Sequence, residues 1–173
     1  MNRGIPRRAA LRAFAAFATT AVSSSAAPVS QPLFRIARSK NANIVQYDAI
    51  EVAPRRLELR QPVVGYWIML AEKGQREELT SLEQRAYGFR IHAEREGLSY
   101  LMVLRAVPDR SIRVFHWNGR WIAQLRLQNK NAVLERVFVS SEEGALLPRV
   151  RWIDLFGHDI VTGAPLTERL TPG

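Results

Sequence analysis

Residues 113–138 read RVFHWNGRWIAQLRLQNKNAVLERVF, and this stretch decides the fold. Asn118-Gly119 is the dipeptide that a two-residue type I′ turn demands, because both turn positions need positive φ. With the turn there, Trp117 faces Arg120, His116 faces Trp121, Phe115 faces Ile122, Val114 faces Ala123 and Ile112 faces Leu125. One face of the hairpin then reads Ile112, Val114, His116, Trp121, Ala123 and Leu125, while Arg113 and Gln124 share the other. Turn chemistry and the period-2 pattern agree on a single register. A second tight turn at Asn129-Lys130 adds a third strand, with Leu127 opposite Ala132 and Leu125 opposite Leu134. The chain is expected to be organised round an antiparallel meander.

Outward from the meander, more strands are legible. Leu33–Arg38, Ile44–Ala49, Val63–Leu70, Phe89–Glu94, Ser99–Val107 and Val150–Phe156 each carry strand patterns bounded by turn residues. Arg56–Arg60 reads as a short edge segment or loop between Pro54 and Pro62, Glu72–Glu78 and Ser141–Gly144 read as loops, and a short ordered segment is expected near Ile160-Val161. Thr80-Ser81-Leu82-Glu83 has capping-box spacing, so one short helix should start at Thr80 and stop at Gly88, packing Leu82, Ala86 and Tyr87 onto the sheet. About eight strands and no βαβ alternation give a mainly β fold. An antiparallel meander curled into a barrel or half-barrel is the economical solution, with a two-sheet β-sandwich as the alternative.

The first residues carry a different signature. Residues 1–12 hold four arginines and no acid, followed by an apolar, alanine-rich run to Val22 and small residues to Ala27. This is the order of a secretory signal peptide over 1–26. Arg7-Arg8 resembles the twin-arginine export signal, with Pro6 where that signal usually has Ser or Thr. The expected division is a signal at 1–26, a linker at 27–32 and a single exported domain at 33–170, secreted or in the periplasm and with no transmembrane anchor. The chain lacks cysteine, which excludes disulfides, thiolate chemistry and a lipidated N-terminal cysteine. Beyond residue 26, 21 basic residues stand against 16 acidic ones, a net of +5 that gives no reason to expect a nucleic-acid partner.

Sequence motifs for a phosphate loop, a zinc protease helix or a serine nucleophile elbow are absent, and no cofactor or metal is expected. His116 and Trp121 share the apolar face, where an imidazole could donate to a ligand oxygen. Tyr66 and Trp67, adjacent in a strand, face opposite ways and supply flat surfaces. Lys40, Asn41 and Asn43, followed by Tyr47, form a polar cluster able to clamp an anion or sugar at a barrel mouth. His92 shares a face with Arg90 and Glu94 and should be solvated. His158 beside Asp159 reads as a hydrogen-bonded turn or as one half of an acid–base pair.

The ordered stretches FRIARSKNANIVQYDA (34–49), PVVGYWIML (62–70), ELTSLEQRAYGF (78–89), NKNAVLERVFV (129–139) and VRWIDLFGHDIVTGAPLTE (150–168) resemble a family of small exported bacterial proteins catalogued as a domain of unknown function. The resemblance implies a single exported domain and carries no residue roles. Three functional expectations stay open. The first is an exported binding module that holds a hydrophobic or amphipathic small molecule in an interior cavity. The second is a non-enzymatic structural or envelope-interaction protein with a filled core. The third is an enzyme using a histidine–carboxylate pair, with His116 or His158 as the imidazole.

Overall fold

The computed structural model describes residues 27–142 and 150–171. In chain order the elements are β1 (Val29–Arg38), β2 (Asn41–Ala53), β3 (Arg56–Leu57), β4 (Val63–Met69), β5 (Gln75–Glu78), α1 (Glu83–Tyr87), β6 (Phe89–Arg95) and β7 (Ser99–Leu104). They continue through β8 (Ser111–Trp117), β9 (Arg120–Leu127), β10 (Lys130–Ser141), β11 (Val150–Asp159) and β12 (Pro165–Leu170). The segment 1–26, expected as a signal, and the end of the expected loop at Glu143-Gly144 lie outside the described residues.

The Asn118-Gly119 turn forms as the dipeptide requires, with φ of 46° and 84°. The β8–β9 register runs from Trp117↔Arg120 to Arg113↔Gln124, as read from sequence. The next turn sits one residue earlier than expected. Gln128 and Asn129 take the positive φ, and Leu127 pairs with Lys130, Ala132 with Leu125. The register moves by two residues, so each side chain keeps its face.

The strands join in one sheet, in the order β5-β4-β2-β1-β10-β9-β8-β7-β6, curled into a half-barrel rather than divided into a sandwich. Beside this path, β11 pairs with β10 and β12, and β3 with β2. The sheet is mixed, not purely antiparallel, because β1 and β10 run parallel. Strand β10 makes this possible by lending one edge to two partners. Its first residues pair with β9 as far as Val133↔Gln124, a bulge follows at Leu134/Arg136, and β1 takes over from Arg35↔Arg136 to Arg38↔Val139. The other edge carries β11 throughout. Gly157 lies opposite Leu134 beside this bulge, where a Cβ would stand 2.2 Å from the Val133 carbonyl oxygen. Only glycine fits there.

Among the described residues twelve strands replace the eight or so expected, for local reasons. Gln75–Glu78, which looks like a loop by its charge, is an exposed strand whose four side chains all meet solvent, a composition suited to a sheet end. Strand β1 begins at Val29, so part of the expected linker is strand. The tail pairs as β12 after Pro165, while Ile160-Val161 belongs to a turn.

The capping box forms fully: Thr80 N–H and Oγ1 both donate to Glu83 Oε2, at 2.9 and 2.8 Å, and Glu83 N–H donates to Thr80 Oγ1 at 3.3 Å. The helix packs less than expected. Leu82 is 68% exposed and Ala86 is exposed too, leaving Tyr87 to make the contact, edge-on to Trp67 at 5.2 Å.

The inner face is filled. Phe34 stacks on Tyr47 at 4.6 Å, and Trp121, Met102, Leu104, Leu127 and Leu134 are sealed from water. These side chains occupy the volume that an interior binding cavity would need.

Candidate functional site

Alternation sends every second residue of β1, β9, β10 and β11 to the outer face. At the point where β9 parts from β10 and β1 joins it, these outward residues border a recess of about 590 Å³. Arg35, Arg120 and Arg136 line it together with Glu135, Gln46 and Phe156, and Leu33 and Leu166 add apolar walls. The fork is bridged by Trp121 N–H, which donates to Gln31 Oε1 at 3.2 Å.

The charges are unbalanced. Arg35 and Arg136 occupy directly paired positions on parallel strands. Among the described residues, neither they nor Arg120 forms an ion pair. Like charges placed opposite one another cost a few tenths to about 1 kcal/mol. Arg136 is held in place by the ring of Phe156, 4.0 Å beneath its guanidinium carbon. The one acid in the recess, Glu135, meets His158 Nδ1 at 3.2 Å, which ties it to the β11 side. Two arginines at paired positions, neither in an ion pair among the described residues, suit a phosphate or carboxylate, since a guanidinium fork can donate two parallel hydrogen bonds to either.

Behind the recess lies a second tier. Gln46 Nε2 donates to Asp48 Oδ1 at 3.0 Å, and Asp48 Oδ2 accepts from Tyr66 Oη and Ser30 Oγ, each at 2.6 Å. Asp48 is only 4% exposed, and these three neutral donors satisfy it. Burial first, and then the bond to Asp48, push the Tyr66 hydroxyl up to about 12. The guanidinium of Arg76 lies 3.6 Å over the Tyr66 ring. Below, Arg169 grips Asp154 with two bonds of 2.7 and 2.8 Å and holds its carboxyl below the usual range.

The residues singled out from sequence scatter among three places. Trp121, Tyr47 and Trp67 lie in the core, so Trp67 and not Tyr66 is the inward member of that pair. Tyr47 Oη donates to the Tyr87 carbonyl at 2.5 Å, and burial drives its hydroxyl far above the ordinary range. His116 meets Trp121 edge-on at 5.6 Å, half-buried at the end of the inner face. At the β1–β2 turn Lys40 is exposed, while Asn41 is engaged through Arg38. Arg38 donates to Asn41 Oδ1 and Tyr87 Oη, both at 3.2 Å, and lies 4.5 Å over Trp67. Asn43 Nδ2 turns to Met69 Sδ at 3.3 Å. Arg38 thereby braces this turn against Tyr87 and Trp67.

Tyr66 alone reaches the recess, by way of Asp48 and Gln46. His158 pairs with Glu135 across strands rather than with neighbouring Asp159, which instead accepts from Val161 and Thr162 N–H at 2.8 and 3.0 Å. Arg35, Arg120, Arg136 and Phe156 were not among the residues expected from sequence. Their only local signal is an arginine at some outward positions of largely apolar strands, as at Arg120 and Arg126 of β9.

Residues 34–169 match the model of a domain of unknown function, DUF4833. No curated protein and no solved structure matches the chain. Among the described residues no helix is long and apolar enough to cross a membrane.

Proposed function

The chain belongs to the DUF4833 family, and on that footing we propose that it is an exported binding module for a small amphipathic molecule with an anionic end. One observation carries this reading: the directly paired Arg35 and Arg136, neither in an ion pair among the described residues, lining a 590 Å³ recess. A recess of this size is in the range of small-molecule sites. Arg120 contributes a third cation, and Phe156, Leu33 and Leu166 give the apolar part of a ligand something to cover. The ligand belongs on the outer face, because the inner face is packed solid. Export to the periplasm or beyond is supported by the arginine-rich start, the alanine-rich run and the small residues before Pro28.

Native mass spectrometry of the protein purified from its own envelope, without denaturation, tests the reading. A reproducibly retained anionic molecule is the expected result. A bare protein that also ignores millimolar phosphate and acetate in calorimetry overturns it. The His158–Glu135 contact supports a second reading, acid–base catalysis on the bound molecule. That reading requires turnover of a phosphate or carboxylate ester that is lost in His158→Gln.

A further inference from the structure

Beside the arginine recess lies a second compartment of about 360 Å³, between the Trp117–Arg120 turn and the turn at 160–163. Arg120 borders both spaces, and they adjoin where His158 reaches Glu135. The two differ in chemistry. The floor of the second is Ile122 and Val133, both buried although they belong to the outer face. Its rims are Trp117, 45% exposed, and Val161, 88% exposed. Large apolar side chains left singly in water need no explanation, but here two of them flank an apolar floor. The far rim is also built in advance. Asp159 Oδ1 holds the N–H groups of Val161 and Thr162, and Ile160 N–H donates to the Asn131 carbonyl at 3.0 Å. A preformed rim saves the ordering cost that a mobile one would impose on binding.

We propose that one ligand spans both compartments, and that it is a single-chain amphiphile with a phosphate-like or carboxylate head. The head lies between Arg35 and Arg136, and the chain crosses Arg120 to lie over Ile122 and Val133 against Trp117. This rests on the anion reading of the first compartment and adds the chemical class of the rest of the ligand. An aliphatic floor with a single ring at its edge suits a hydrocarbon chain better than a stacked ring system.

Calorimetry of the full chain with inorganic phosphate, butyl, hexyl and octyl phosphate, each below its micelle concentration, tests it. Each methylene buried in the second compartment should tighten binding about fourfold, so octyl phosphate, with four more methylenes, should bind about 250-fold more tightly than butyl phosphate. Trp117→Ala and Val161→Asp, both at exposed positions, should flatten the series and leave inorganic phosphate unchanged. Phosphate binding with no dependence on chain length overturns this proposal and spares the anion reading. Failure of every anion to bind overturns both. Vesicles of anionic phospholipid added to the octyl phosphate titration separate the sources of such a ligand. Competition assigns it to a membrane and indifference to a free amphiphile, and the chain compartment stands in either case.

Discussion

On the inner face, Trp121, Tyr47 and Leu134 are sealed from water, whereas Arg35, Arg120 and Arg136 stand on the outer face and form no ion pair among the described residues. Both faces are built by the same strands. The inner one is optimised for packing, and the outer one keeps a like-charge pairing that packing does not need. Stability and binding are therefore separable here, and substitutions on the two faces should separate them.

Trp121→Ala should have the largest effect. It empties a site that is 1% exposed and should cost about 3–5 kcal/mol in urea denaturation, with phosphate affinity of the folded fraction unchanged. A cost under about 1 kcal/mol would mean that the inner face is not a packed core. Tyr66→Phe comes next, because it removes a donor from a buried carboxylate, and should cost about 1.5–3 kcal/mol. It also carries a pH signature. The folded Tyr66 hydroxyl titrates near 12, above the ordinary value of 10.0. Its contribution is therefore whole below about pH 10 and is lost as the pH rises through about 12. Stability measured across that window should fall less steeply in the variant, and the late tyrosinate absorbance step should vanish. Arg35→Gln should have the smallest effect on stability and the opposite sign. Relief of the like-charge pair should gain roughly 0.2–1 kcal/mol, while phosphate affinity falls at least tenfold. A variant that loses stability and keeps its affinity would erase the contrast between the faces.

How far the sequence could be read follows the same division. The β8–β9 hairpin was legible to the residue, because turn chemistry and alternation are local and agree. The capping box was legible for the same reason. The twelve-stranded total was not, since Gln75–Glu78 has no apolar face to announce a strand. The recess was beyond reach for a stronger reason. Arg35 and Arg136 meet through a parallel pairing of residues about 100 positions apart, and neither segment carries a mark of the other. Aromatic and asparagine clusters drew attention instead, and they serve the core and the β1–β2 turn. An arginine repeated on the outward side of an apolar strand is a modest signal that becomes informative only with the strand order in hand.

The shared edge of β10 also sets a timetable. A chain made from its N-terminus completes β1 and β2 early, yet the partner that covers the Arg35–Arg38 edge is not finished until Val139. At roughly 5–20 residues per second, about 100 residues of synthesis leave that edge bare for on the order of 5–20 s. A bare strand edge is a template for pairing with other chains, and charged side chains along it are the usual deterrent. Arg35 and Arg38 lie on that edge. The same guanidinium that strains the finished sheet would guard the unfinished one, so Arg35→Gln, for all its gain in final stability, should aggregate more during rapid synthesis than the parent chain.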